Sequence, residues 1–204
     1  MKYENYIFDL YGTLIDIRTD EYRNGFWKKI AEYYACFGAD YSAAELHDRY
    51  NTLIKEEEKR LISKFKQKKI DCRYPEIKLE WIFGMLFLTS PGRHVSEAGD
   101  HLLSSFEAAN GNLSANITPS MVPSCKELLN WSVDTAHFFR VTSRKRFRLF
   151  PGTISTLKKL RDHGAGIYLL SNAQRSFTYS EMEVLGLIGG SVNTKLCSWG
   201  SHFK

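Results

Sequence analysis

The chain has few cysteines and no long hydrophobic run, and each shortage argues against a class of protein. Its four cysteines are widely spaced and form no C-x-x-C pair, which argues against disulfides and a zinc site and predicts reduced, mostly buried thiols. The most apolar stretch, residues 81–88, is too short to span a bilayer. Asp9 interrupts the first apolar run, so the N-terminus does not resemble a signal peptide. We therefore expect a cytoplasmic protein.

An excess of charge of one sign is also lacking. Lysine and arginine number 28 against 23 acidic residues, a net charge of +5 that is compatible with an anionic substrate and too small to indicate nucleic acid. The densest basic run interleaves with Phe139 and Phe147, and it reads either as a nucleic-acid patch or, the interpretation we favour, as a solvated face. It comprises Arg140, Arg144, Lys145, Arg146 and Arg148. We expect a small anionic substrate, with neither nucleic acid nor membrane as partner.

The order of patterns along the chain predicts an α/β protein with a large helical insertion. Residues 3–10 form an apolar run typical of a buried strand, and residues 22–142 contain a series of amphipathic helices, one opened by a capping-box pattern at Ser42 and Glu45. From residue 150 onward the pattern becomes helix, strand, helix. We predict an incomplete Rossmann-like parallel sheet, buried on both faces, from residues 1–16 and 149–204, and a helical domain from residues 17–148.

Polar residues follow both predicted strands. Asp9 comes directly after the first, and Ser171 and Asn172 close the second. Parallel neighbours would bring these residues to one carboxyl edge, where open α/β sheets bind ligands. A carboxylate held by a strand, a glycine that allows a tight turn and exposed backbone N–H groups are typical of a nucleophile beside an anion site. The alternative is that Asp9 only caps the following turn.

These residues carry a resemblance to a known family. Residues 6–14, Tyr-Ile-Phe-Asp-Leu-Tyr-Gly-Thr-Leu, resemble motif one of the haloacid dehalogenase-like (HAD) hydrolase superfamily. Residues 169–172, Leu-Leu-Ser-Asn, resemble its motif two, and residues 149–153 fit the start of the preceding helix. The helical insertion is similar to the family's helical cap. The resemblance extends from residue 3 to about residue 188, and the two motifs are specific in combination.

The resemblance implies a role for each matching position. Asp9 would be the nucleophile, attacking phosphorus in a phosphatase or an electrophilic carbon in a dehalogenase. Thr13 and Ser171 would complete the catalytic set by donating hydrogen bonds to the anionic group of the substrate. The substrate-binding positions would be Tyr11, Gly12 and Asn172. In a phosphatase-type site, the carboxylate of Asp9 and the backbone carbonyl of Tyr11 would hold Mg²⁺.

One departure from the family concerns Tyr11. Phosphatases of this family usually carry a second aspartate at this position, which protonates the leaving group. A phenol with a pKa of about 10 is a poor general base at neutral pH, so hydrolysis of ordinary esters is handicapped. Tyrosine here resembles the dehalogenase branch, whose cap arginine could be Arg18, Arg23 or Arg49. Tyr11 alone therefore does not decide between the two reactions.

The second departure lies in residues 189–204. The family continues with a strand, a lysine and an acidic pair that completes the metal site, but this segment has no Asp or Glu and no strand alternation. We therefore do not assign Lys195 to the family lysine, and we expect weak Mg²⁺ binding. Our hypothesis for this loss of pattern is a shifted reading frame or a truncated gene, which the downstream DNA would test. Two functions stay open: a HAD-like hydrolase, and a non-catalytic remnant of one.

Overall fold

A computed structural model describes residues 3–111, 117–171, 173–188 and 195–198. Its contacts divide the chain into two units. The sheet unit contains the described residues up to Asp20 and from Ser143 onward, and the helical unit is Glu21–Thr142. The units differ from the predicted segments at their edges, because residues 17–20 and 143–148 belong with the sheet. That the helical unit serves as a cap stays a prediction.

Fifteen elements lie within the described residues. In chain order they are β1 (Asn5–Phe8), β2 (Ile15–Thr19), α1 (Phe26–Ala35), β3 (Ala39–Asp40), α2 (Ala43–Gln67), α3 (Leu79–Leu88), β4 (Gly92–Arg93), α4 (Glu97–Asn110), a 3₁₀ helix (Pro119–Ser124), α5 (Lys126–Ser143), β5 (Arg144–Leu149), α6 (Thr153–Asp162), β6 (Gly166–Ser171), α7 (Arg175–Val184) and β7 (Lys195–Ser198).

The main sheet has the order β1-β6-β7, with both pairs parallel. Phe8 lies opposite Leu169, as expected if the two apolar runs are neighbouring strands. Ile167 and Leu169 face a core shared with Leu157 of α6 and Met182 of α7. The prediction of a sheet buried on both faces is wrong, because Ile7, on the opposite face of β1, is 67% exposed.

Strand β7 corrects the interpretation of the C-terminal segment. No strand was expected after residue 188, yet Lys195–Ser198 pairs in parallel with β6 from Tyr168 to Ser171. The local sequence has no alternation to mark it. The free edge of β6 offers a row of backbone donors and acceptors, and pairing with a neighbouring strand satisfies them whatever the side-chain pattern.

A two-stranded antiparallel ribbon, β2 with β5, was also missed. Its alternation explains why it forms: Ile17 and Phe147 pack against the core, and the intervening Asp16, Arg146 and Arg148 form ion pairs with one another. The basic residues of β5 belong to the run interpreted above as a solvated face. The pairing partner lies about 130 positions away in the sequence, so no local pattern reveals it.

The helical unit follows its sequence pattern more closely. The capping box of Ser42 and Glu45 is confirmed at the start of α2. Helix α1 begins at Phe26 rather than near Tyr22, whose side chain is 88% exposed. Helix α3 begins at Leu79. The core of this unit is rich in large aromatic side chains, among them Phe26, Tyr34, Phe83, Phe87, Phe106, Trp131 and Phe139.

Two further observations concern cysteines and membranes. The described cysteines are free thiols, but only Cys125 is buried, Cys72 is half-buried and Cys36 is exposed, so the expectation of mostly buried thiols is wrong for them.

Within the described residues, no helix is both long enough and apolar enough to cross a bilayer.

Candidate functional site

Asp9 begins a tightly closed loop after β1. The carbonyl oxygen of Leu10 accepts hydrogen bonds from the amides of Leu14 and Ile15, each 2.9 Å long, and the Gly12 amide donates to the Ile15 carbonyl at 2.9 Å. Gly12 adopts φ +80°, and a Cβ there would meet nothing within 4 Å, so the backbone angle and not space requires glycine. The loop leaves the Asp9 carboxylate exposed, with no hydrogen-bond partner among the described residues.

Thr13 is the second exposed polar residue of this loop. The amides of Gly12, Leu14 and Ile15 are used within the loop, which limits the predicted backbone anion site. Neither the amide nor the hydroxyl of Thr13 has a hydrogen-bond partner in the described part of the chain. Asp9 and Thr13 therefore offer a carboxylate and two free donors on one short loop.

The start of α6 anchors this loop. The Phe150 amide and the Thr153 hydroxyl both donate to the carbonyl oxygen of Leu14, over 3.1 and 3.2 Å. Thr153 is buried, and Gly152 precedes the helix with φ +85°. Two segments far apart in sequence are thus joined at the end of the loop that follows Asp9.

Ser171 ends β6, the strand next to β1, so its backbone reaches the same edge of the sheet as Asp9. Its side chain is in a different environment. Ser171 is only 5% exposed, in phase with the buried Ile167 and Leu169, and its hydroxyl oxygen accepts a hydrogen bond from the Ala173 amide at 3.2 Å. Asp9 is exposed, like Ile7 two residues before it. The exposed pair is therefore Asp9 with Thr13, and Asn172 lies outside the described residues.

The side chain of Tyr11 forms a hydrogen bond that the sequence did not predict. Its phenol donates to Oε2 of Glu181 on α7. Nη2 of Arg144 donates to the other carboxylate oxygen of Glu181 at 2.5 Å, and the guanidinium lies 4.1 Å from the ring centroid of Phe147. Glu181 is 1% exposed and the Arg144 side chain 21% exposed. The tyrosine expected to bind substrate thus contacts a buried carboxylate of the protein.

Glu181 was missed, although the sequence contains a signal for it. On α7, the buried positions Phe177, Thr178 and Met182 follow helical spacing, and Glu181 lies in phase with them. A charged residue on the apolar stripe of a helix requires a buried partner. The sequence alone does not reveal which partner, because Tyr11 is 170 positions away.

The basic run on β5 is largely neutralised within the sheet unit. Arg144 pairs with Glu181, Lys145 with Asp20, and Arg146 and Arg148 share Asp16 at 3.4 and 3.0 Å. Desolvation opposes ionisation of Asp16, but hydrogen bonds and charge from Arg148 and Arg146 outweigh it and lower the pKa of Asp16.

The three arginines considered for a substrate carboxylate differ in their partners. Arg23 donates to the Thr142 carbonyl oxygen, and Arg49 lies 3.8 Å from Glu56. Arg18 is exposed on β2.

The residues that the resemblance assigns to Mg²⁺ do not form a metal site by themselves. Among the described residues, no three His, Cys, Asp or Glu side chains cluster closely enough to hold a metal ion. Asp9 and the Tyr11 carbonyl would supply one carboxylate and one neutral oxygen, while Mg²⁺ requires six oxygen ligands in octahedral geometry. The remaining ligands would have to be water or substrate oxygens, so weak Mg²⁺ binding stays a prediction.

Comparison with known proteins gives little further information. No protein-family model and no curated protein matches the chain. One similar solved structure is that of a "putative phosphoglycolate phosphatase" from Lactobacillus delbrueckii subsp. bulgaricus. The two are 15% identical with a TM-score of 0.35, over 100% of this chain and 68% of the other. Similarity at this level carries no fold or reaction over to this chain.

Proposed function

We propose that the chain is a HAD-like hydrolase that uses Asp9 as its nucleophile on a small anionic substrate, either a phosphate ester or a 2-haloacid. The observation that carries the proposal is the parallel pairing of β1 with β6, in which Phe8 lies opposite Leu169. In that register, the segments that resemble motifs one and two leave the sheet at one edge, which is where open α/β sheets bind ligands.

The proposed reaction has two steps. A carboxylate oxygen of Asp9 attacks phosphorus or the halogen-bearing carbon. The bond to the leaving group breaks, and the leaving group departs with the bonding electron pair. Water then cleaves the resulting acyl phosphate or ester, which restores the Asp9 carboxylate and releases the product. The amide and hydroxyl of Thr13 donate to the anionic group of the substrate.

A colorimetric phosphatase assay and a halide-release assay on 2-chloropropionate test this proposal. We expect Asp9→Asn to lower kcat by about 10³-fold or more, because an amide is a poor nucleophile. The matched control is Asp162→Asn, which removes an exposed carboxylate at the end of α6 that forms an ion pair with its sequence neighbour Arg161. Circular dichroism checks that each variant is folded.

The assays are run with and without Mg²⁺, since the resemblance implies this ion for a phosphatase. Equal turnover by wild type and Asp9→Asn would remove the nucleophile assignment. A folded wild-type chain without turnover in either assay would instead favour the non-catalytic alternative.

A further inference from the structure

Glu181 is a buried ionisable group with no role in the reaction proposed above. Its side chain is 1% exposed, and its two oxygens accept hydrogen bonds from different elements, Tyr11 on the Asp9 loop and Arg144 on β5. A buried carboxylate is costly unless it is paired and hydrogen-bonded, and Arg144 supplies the compensating charge. The guanidinium is itself fixed over the ring of Phe147.

This arrangement determines what the Tyr11 hydroxyl can do. A phenol has a single O–H group, and in Tyr11 this group donates its hydrogen bond to the carboxylate of Glu181. Charge-assisted hydrogen bonds are about twice as strong as neutral ones, so the phenol is held firmly in this orientation. Tyr11 lies two residues after Asp9, close in sequence to the reacting carboxylate, yet its proton is directed into the core of the protein.

We propose that Glu181, fixed by Arg144, is a positioning residue that holds the Tyr11 hydroxyl away from the leaving group and so restricts the enzyme to substrates whose leaving groups depart as stable anions. The inference rests on the proposed function. Phenolates and halide ions belong to this class, because each leaves with the bonding electron pair and needs no proton. An alkoxide from an alkyl phosphate does need one, and general acid catalysis is worth about 10²–10⁴-fold in rate.

The experiment compares kcat/KM for 4-nitrophenyl phosphate and glycerol phosphate, an aryl and an alkyl ester of the same acid. The ratio of interest is kcat/KM for 4-nitrophenyl phosphate divided by kcat/KM for glycerol phosphate. For the wild type we expect this ratio to exceed about 100, because only the alkyl ester needs the general acid that the site lacks. Tyr11→Phe should change both rates in parallel and leave the ratio within about threefold. Glu181→Gln removes the charge that holds the phenol, and we expect the ratio to fall at least threefold. The double variant should restore the ratio, because the freed hydroxyl is then absent.

A purely structural role for Glu181 would lower both rates without changing their ratio, which would overturn the proposal. So would a wild-type ratio near one, or a selective loss of glycerol phosphate turnover in Tyr11→Phe, since either result would mean that a proton reaches the leaving group.

Proton NMR tests the hydrogen bond without any need for turnover. The wild type should show a hydroxyl resonance downfield of the amides that Tyr11→Phe lacks, and its absence would overturn the proposal. If neither substrate is turned over, the proposed function fails by itself, and this resonance still decides whether Glu181 holds Tyr11.

Discussion

At the scale of single residues, Glu21 shows how the fold changes the chemistry of one side chain. Burial raises the pKa of Glu21 above its ordinary value of 4.5, against the opposing charges of Arg140 and His47. Folding therefore favours the protonated carboxyl. The stabilisation that the protonated Glu21 carboxyl gives to the folded state is complete below pH 4.5. It is lost as the pH rises through the higher pKa of Glu21 in the folded protein.

Glu21→Gln should accordingly stabilise the protein at neutral pH. The amide resembles the protonated carboxyl and carries no charge to desolvate, so the free energy of unfolding should exceed that of the wild type at pH 7. The difference should shrink towards pH 4. Urea titrations at both pH values measure it.

The control for this prediction is Glu107→Gln, an exposed position on α4 that should change stability little at either pH. A Glu21→Gln variant that is less stable than the wild type at pH 7 would contradict the prediction.

At the scale of elements, Gly99 shows how closely two segments of the helical unit approach. A Cβ added to Gly99 on α4 would lie 2.0 Å from the backbone carbonyl oxygen of Phe37, just after α1. Alanine normally stabilises a helix interior by about 1 kcal/mol relative to glycine. Here the backbone would have to shift, so Gly99→Ala should instead lower the free energy of unfolding by about 1–3 kcal/mol.

Thermal and urea unfolding measure this change. The control is Ala108→Gly, at an exposed position of the same helix, which changes helix propensity without creating a steric clash. It should lower the free energy of unfolding by about 1 kcal/mol. If Gly99→Ala were more stable than the wild type, the close approach of α4 to Phe37 would be wrong.

The elements also differ in how well the sequence predicts them. Helices α2, α4 and α6 carry start and stop signals in their local sequence, because capping residues such as Ser42 and Ser96 and terminal glycines such as Gly164 act within one turn. The β2–β5 ribbon and β7 were missed because they depend on partners distant in sequence, and short strands have no capping signal of their own.

At the scale of the whole molecule, the two points where the chain passes between the units lie close together. The Asp20 amide donates to the Ser143 carbonyl oxygen at 2.8 Å, and Arg23 donates to the Thr142 carbonyl oxygen. The helical unit therefore has adjacent ends and its own aromatic core, two properties of an independently folding domain.

We expect the fragment of residues 21–142 to fold by itself. It should show a helical circular dichroism spectrum and a single cooperative thermal transition, because its apolar core is formed within the fragment. In a matched fragment, Phe83→Ala should lower the free energy of unfolding by about 3–5 kcal/mol, because that ring is fully buried. A broad, non-cooperative transition in the unmodified fragment would contradict this expectation.

The amino-acid pattern was sufficient to predict the α/β class, most of the helices, the two neighbouring strands that lead to Asp9 and Ser171, and the turn at Gly12, because periodicity, caps and glycine conformations act over a few residues. Three features emerge only from the folded chain: one sheet face is open, Ser171 is buried while Asp9 and Thr13 are exposed, and Tyr11 donates to Glu181. These features depend on contacts between residues far apart in the chain, and a pattern of neighbouring residues does not encode which distant groups will meet.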